Sequence, residues 1–197
     1  MGPAAQVAQN IDSMIRRVQP LRCVLQRLGR ARIRYGLYGG SHVSIITSNR
    51  VPADVDLLVC DEDMSALRDT FPFAKTEDLG HGLALYLGEG DVIEFMCHAD
   101  ILTNGARYPF RLTRLARQRL TTYATQLAEI SVVDPVDTLI LKALLRRGHD
   151  EGKHDAEDMA ALVARCELDE PYLNARLDET HAREATRETW RRFGVRV

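Results

Sequence analysis

The 197-residue sequence predicts an α/β fold, a mixed and largely antiparallel sheet flanked by helices, with a C-terminal helical cap. Three observations carry that reading. Short apolar segments read as strands, joined first by helical stretches and then by hairpin turns, which calls for a mixed sheet. The first thirty residues follow a helical period. From Pro135 onward every periodic segment is helical. Residues 1–133 are therefore expected to form the sheet core with its N-terminal helices, and residues 134–197 a helical region packed on it.

The elements follow in order. From about Ala4 to Gly29 one stripe collects Val7, Ile11, Met14, Ile15, Val18, Leu21, Val24, Leu25 and Leu28. Pro20 breaks this stretch into two helices, and Gly29 is the expected C-cap. Ile33–Tyr38 reads as a short strand, and after Gly39–Gly40 the chain can form a helical turn to about Thr47. A second strand, Val55–Cys60, is entered through Pro52. Asp61–Thr70 reads as a helix with Asp61 or Asp63 as N-cap. Strands are expected at 74–79, 83–87 and 92–97, the last two joined by the glycine-rich turn GEGD. The pattern after Asp100 is irregular until a helix near Leu112–Leu120, followed by a strand at Glu129–Val133. Pro135 opens an amphipathic helix through Arg147, and helices are expected at Asp155–Cys166 and from Pro171 onward.

Composition narrows the setting. At 45% apolar and 27% charged the chain can bury a real core, and a net charge of −2 implies neither a nucleic-acid nor a membrane partner by itself. Cys23, Cys60, Cys97 and Cys166 include no CxxC pair and read as reduced core residues of a cytosolic protein. The N-terminus lacks the apolar stretch of a signal peptide, and no apolar run nears the roughly 18 residues that span a bilayer. A cytoplasmic location without a membrane partner is expected.

The acidic residues carry the chemistry. Asp54 and Asp56, two apart on a strand, face one side and can converge on one or two divalent ions. Alone, such a pair also describes many solvated strand ends. Glu94 changes the balance, because it sits in VIEFMC, a strand apolar on both faces. A buried carboxylate there needs a metal or a cationic partner. Gly39-Gly40-Ser41 follows an apolar strand and precedes a helical turn. Glycines allow backbone N–H groups to approach phosphates, the helix N-terminus adds a favourable dipole, and the Ser41 hydroxyl can donate.

The order of these parts resembles the DNA polymerase beta nucleotidyltransferase superfamily. YGLYGGSHVSIITSNRVPADVDLLV matches its motif: an apolar strand, Gly-Gly, about a dozen residues, then Asp-hydrophobic-Asp-hydrophobic. PVDTLILKALLRRGHDEGKHDAEDMAAL resembles the C-terminal motif of AbiEii-like toxin nucleotidyltransferases, with Lys142, Arg146 or Arg147, Asp155 and Asp158 at the matching positions. His-Val-Ser after the glycines, and His154 between Lys153 and Asp155, depart from those patterns.

The resemblance implies a nucleotidyltransferase fold and transfer of a nucleoside monophosphate from an NTP to a hydroxyl of RNA, a protein or a small molecule. Asp54 and Asp56 would ligate Mg²⁺ (or Mn²⁺), and Glu94 would complete a second metal site and act as general base. Gly39, Gly40 and Ser41 would bind the nucleotide, with Arg50 supporting the site from nearby in sequence. Lys142 would offset phosphate charge and Asp155 would orient it or contact the nucleotide. A toxin acting on RNA is the leading subclass, with an antitoxin protein as its partner. An antibiotic nucleotidyltransferase and a catalytically silent binding module are the alternatives.

Other features read more simply. Arg107, Arg111, Arg114, Arg117 and Arg119 stand among thirteen residues without an acid, and suit either RNA phosphates or ion pairs with the acidic 150–170 region. HDEGKHD reads as a solvated interhelical turn rather than a metal site. His81 and His98 read as loop residues. Met159, Leu162, Val163 and Trp190 read as packing.

Overall fold

The structure is a computed structural model that describes residues 3–47, 54–78, 83–87 and 92–197. Arg50, Pro52, His81 and the GEGD turn lie outside the described residues. Two helices lead, α1 (Pro3–Arg17) and α2 (Leu21–Ala31), separated at Pro20 as the sequence predicts. Gly29 is not the C-cap. The helix runs two residues further and closes on Arg32, which takes the left-handed conformation (φ 55°) and donates its N–H to Gly29 O and Leu28 O.

The strands are β1 (Tyr35–Leu37), β2 (Asp54–Val59), β3 (Lys75–Asp78), β4 (Leu83–Leu87), β5 (Val92–Cys97), β6 (Asp100–Thr103), β7 (Ala106–Pro109), β8 (Thr121–Ala124) and β9 (Glu129–Val132). Seven of them form one sheet in the order β3-β4-β5-β2-β1-β9-β8. The β2–β5 and β1–β9 pairs are parallel and the rest antiparallel, the mixed sheet expected. Helix α3 (Gly39–Thr47) joins β1 to β2, and α4 (Met64–Thr70) follows β2. Then come the short α5 (Arg114–Arg117) and the C-terminal helices α6 (Pro135–Leu145), α7 (Asp155–Arg165), α8 (Glu170–Glu179) and α9 (Arg183–Arg192).

Three expectations fail locally. The stretch after Asp100 is a hairpin of β6 and β7, turned by Asn104 and Gly105, both with positive φ. An Asn-Gly pair is what a two-residue hairpin turn prefers. The helix expected at 112–120 shrinks to α5, and its last residues lead into β8, a strand absent from the sequence reading. Asp61 and Asp63 cap nothing with their side chains. They form a 3₁₀ turn in which Asp63 accepts from Arg34 N–H (2.8 Å) and Asp61 from His98 N–H (2.6 Å).

The sheet separates two cores. Val55, Leu57 and Val59 of β2 and Ile93, Phe95 and Cys97 of β5 pack on one face against α1, α2 and α4. Leu58, Val133, Phe110 and Tyr38 pack on the other against α6, α7, α8 and Trp190 of α9. Alternation along a strand makes this division. It also decides where the acids go, because Asp54, Asp56 and Glu94 alternate with the first set. The strand around Glu94 is thus apolar on one face, while its other face carries Glu94 and Met96.

A buried lock fixes the helical region. Arg176 Nε donates to Asp137 Oδ1 at 2.7 Å, with both side chains 1% exposed, and Tyr172 Oη donates to Asp137 Oδ2 at 2.7 Å. Asp134 caps α6 through Val136 N–H (3.0 Å), with Pro135 opening the helix. Cys60 and Cys97 are buried and Cys166 partly so, but Cys23 is exposed on α2, contrary to the expectation of a core residue. No helix among the described residues is long and apolar enough to cross a membrane.

Candidate active site

The turn out of β1 is tied directly to the acidic strand. Tyr38 N–H donates to Asp56 O (3.1 Å), and the Ser41 hydroxyl donates to Asp54 O (2.7 Å) while lying 3.4 Å from Asp56 N–H. Ser41 is fully buried, so in this arrangement its hydroxyl knits the loop to β2 rather than pointing at a phosphate. Gly39 reverses the chain at φ +65°, and a Cβ there would sit 2.6 Å from Asp56 Oδ2. Only glycine lets the backbone pass so close to that carboxylate. Gly40 is different: a Cβ would meet nothing within 4 Å, leaving its surface open to a ligand.

Glu94 arrives by strand register. The parallel β2–β5 ladder pairs Asp56 with Glu94, while Asp54 sits two residues earlier on β2. All three line a cavity of about 650 Å³, together with Gly39 and Gly40. Across it stand Lys142 of α6 and, in and beyond the α6–α7 connection, Arg147, Lys153 and His154. The remaining wall is mostly apolar, formed by Met96, Ala99, Ile101, Phe110, Leu141 and Leu145, with Asp100 among them.

Lys142 is buried and gripped twice. Its Nζ lies 2.8 Å from Asp155 Oδ1 and 2.8 Å from Asp158 Oδ2. Asp155 also accepts from Arg147 N–H (2.8 Å) and Nε (3.1 Å). Burial opposes the charge of Asp155, but the Arg147 and Lys142 hydrogen bonds outweigh it and hold its carboxyl below the usual range. Of the two arginines left open by the sequence, Arg147 belongs to the cavity. Arg146 is the left-handed C-cap of α6 (φ 51°) and turns away to Ala143 O and Ala185 O.

Burial, then the charges of Asp54 and Glu94, push Asp56 up to about 7, even though Lys142 and Lys153 pull the other way. The same site holds Tyr38 well above its usual range, through burial and then the carboxylates of Asp56, Glu94 and Asp54. Negative charge at the mouth of β2 is therefore not cancelled by the surrounding lysines. Three carboxylates are a hard, all-oxygen donor set of the kind Mg²⁺ takes, so the residues fit such an ion. His42, which follows the Gly-Gly-Ser turn, serves packing. It is buried, lowered to about 3 by that burial, and lies 2.8 Å from Thr138 Oγ1 on α6.

The structure thus gathers Gly39, Gly40, Asp54, Asp56, Glu94 and Lys142 around one space, with Ser41 behind it and Asp155 buried behind Lys142 rather than lining the cavity. It takes Arg147 from the Arg146-or-Arg147 alternative and adds Tyr38 and Lys153, which the sequence reading did not assign to the site. The signal for Lys153 was its rarity: the chain has three lysines, and two fall in one short motif. Four of the five arginines of the run are ion-paired, while Arg114 is exposed on α5. Arg111 pairs with Asp61 and Asp100, Arg107 with Asp100, Arg117 with Glu62, and Arg119 with Asp134 and Asp169. Ion pairing was one of the two expected readings, though most partners lie outside the 150–170 region named for it.

Comparison of the architecture with solved structures finds a shared fold over most of the chain. The antibiotic-resistance factor ANT(2'')-Ia matches with a TM-score of 0.59 at 11% identity, covering 89% of this chain and 97% of that one. The chain has the nucleotidyltransferase fold. A structure of ANT(2'')-Ia in complex with adenylyl-2''-tobramycin matches with a TM-score of 0.56 at 10% identity, covering 85% and 98%. An antigenic nucleotidyltransferase-like protein from Paracoccidioides brasiliensis gives 0.51 at 19% identity, covering 91% and 93%. No protein-family model matches the sequence, and no curated protein matches it. These similarities concern the fold and do not single out the AbiEii-like group.

Proposed function

We propose that this protein transfers a nucleoside monophosphate from an NTP to the hydroxyl of a small-molecule acceptor. The observation that carries the reading is the pairing, across one cavity, of three strand-borne carboxylates with Lys142, Arg147 and Lys153 on a nucleotidyltransferase fold. Asp54, Asp56 and Glu94 would hold Mg²⁺ or Mn²⁺, which when bound supplies charge neutralisation and orients the triphosphate.

The chain's own residues account for the rest. The open surface of Gly40 and the N-terminus of α3 receive the phosphates. Lys153 and Arg147 meet the β- and γ-phosphates from the opposite wall. The acceptor oxygen attacks the α-phosphorus, the bond to the β-phosphate oxygen breaks, and pyrophosphate leaves. The acceptor proton passes to Glu94. Asp155 and Asp158 hold Lys142 in a fixed orientation, so its charge is in place before the nucleotide arrives.

Two features favour a small acceptor over RNA. The cavity lies in the size range of small-molecule sites, with an apolar wall that would cover the body of such a compound. Four of the five arginines that would otherwise meet an RNA backbone are engaged by acids. The ANT(2'')-Ia relatives by fold, one of them seen with an adenylylated antibiotic, are consistent with that class of acceptor.

Calorimetry with each NTP, with and without Mg²⁺ or Mn²⁺, tests the reading on wild type beside Asp54→Asn/Asp56→Asn. Metal-dependent binding in wild type alone is the expected result. α-Labelled NTP should then pass its label to a member of a panel of hydroxylated small molecules and not to total RNA. Absence of binding to any NTP would sink the proposal, and label appearing on RNA would overturn the choice of acceptor.

A further inference from the structure

The α6–α7 connection and the first turn of α7 carry a second group of donors, beside the cavity that the acids of β2 line. We propose that His149, His154 and Glu157 form a binding site for a borderline divalent cation, Zn²⁺ foremost, separate from the carboxylate cluster. Their ligand atoms all lie within 4.8 Å of one another. His149 Nε2 is 2.6 Å from Glu157 Oε1, and the His149 and His154 rings meet edge to face with centroids 4.3 Å apart. In a tetrahedral zinc site with bonds of about 2.1 Å, donor atoms stand about 3.4 Å apart. Small rotations of these surface side chains close that gap.

The backbone prepares the arrangement. His149 opens a 3₁₀ turn, His149–Glu151, which Gly152 reverses at φ 65°. Gly152 N–H donates to His149 O (3.0 Å) and Lys153 N–H to Gly148 O (3.0 Å), so the loop is closed on itself. His154 and Glu157 are three apart at the start of α7, the spacing that brings side chains together on one helix face. Asp155 and Asp158 instead meet Lys142 and Arg147. The two sets of donors therefore occupy neighbouring faces of one helical turn.

Two imidazoles and a carboxylate select differently from the acids of β2. Nitrogen donors suit Zn²⁺, Co²⁺ or Ni²⁺, whereas an all-carboxylate set suits Mg²⁺ or Mn²⁺. An ordinary ion pair between His149 and Glu157 would need only one imidazole; the second, His154, completes a three-donor face. The exposure of His149 and Glu157 leaves room for a water in the fourth position. The site also touches function. His154 and Lys153 line the nucleotide cavity, and a cation fastening this turn would fix both.

Cobalt tests the assignment directly on the full chain, stripped of metal with chelator. Titration with Co²⁺ should give the visible absorption of a low-coordinate nitrogen-ligated ion, saturating at one ion per chain and displaced by Zn²⁺. It should be lost in His149→Ala/His154→Ala, weakened in Glu157→Gln and kept in Asp54→Asn/Asp56→Asn, with thermal melts confirming that each variant folds. Absorption that survives the double histidine variant would overturn the proposal. So would absorption lost only in the aspartate variant, which would assign the ion to the β2 acids. Because the readout is Co²⁺ binding alone, it stands or falls independently of nucleotide transfer.

Discussion

Replacing Gly39 by alanine separates the backbone's role in the site from its role in the fold. An alanine at φ +65° occupies the left-handed region, which costs roughly 1–2 kcal/mol. Its Cβ would also stand 2.6 Å from Asp56 Oδ2, so the carboxylate must move by most of an ångström before ordinary contact is restored. Together these should lower stability by about 2–3 kcal/mol, a fall in Tm of about 5–10 °C for a chain of this length. The larger effect should be on the site, because Asp56 is pushed off the position shared with Asp54 and Glu94. Chemical denaturation reads the first quantity and Mg²⁺-dependent NTP calorimetry the second. Gly40→Ala is the control for stability: its Cβ meets nothing within 4 Å, so the fold should be unchanged or slightly firmer. Gly39→Ala protein that folds and binds Mg²⁺–NTP as tightly as wild type would refute the claim that this glycine positions Asp56.

The remaining expectations follow from burial and charge. Asp56 is raised to about 7, so its ionisation opposes folding: stability present at acid pH is lost as pH rises through 7. Urea melts in chelator should therefore weaken from pH 5 to 8 by about 2–3 kcal/mol, a slope that Asp56→Asn flattens. Lys142→Met leaves Asp155 and Asp158 without their buried partner and should cost about 3–5 kcal/mol by denaturation, with nucleotide binding lost in what remains folded. Arg176→Met strands Asp137 in the helical core and should cost a similar amount, yet leave metal-dependent NTP affinity unchanged when measured below its melting range. Tyr172→Phe removes one hydrogen bond to that same carboxylate and should cost about 1–3 kcal/mol.

What the sequence made legible was whatever depended on period and order. The alternation in DVDLLV put both aspartates on one face before any neighbour was known, and β2 has that pattern of burial. Pro20 and Pro135 marked helix boundaries because they act on their own backbone. The failures involve partners far along the chain. Ser41 looked like a phosphate donor, but its hydroxyl is taken by a carbonyl thirteen residues away, a bond no local pattern announces. Arg146 and Arg147 were indistinguishable until the left-handed turn at Arg146 sent one outward and the other into the cavity. The β6–β7 hairpin was missed for a different reason. Its Asn104–Gly105 signal was present, but strands of four residues, one containing Pro109, show too little alternation to be noticed.

The two cores explain why the acids stand where they do. β2 must supply apolar side chains to the α1–α2 face at every second position, so Val55, Leu57 and Val59 are committed there. The intervening positions meet the C-terminal helices, and Leu58 alone of these packs into the second core. Asp54 and Asp56 fall where those helices draw back, and the cavity is the space left between α6 and the sheet. A fold seeking only stability would fill that space with apolar groups, as it does one residue pair further along the strand. Instead the nearest buried cation, Lys142, is answered by Asp155 and Asp158, which leaves it little charge to offer Asp56. Asp56 is raised first by its burial and then by the neighbouring charges of Asp54 and Glu94 that Lys142 does not offset. Carboxylates held together at a cost to the folded state are what the proposed binding of Mg²⁺ with the nucleotide would use.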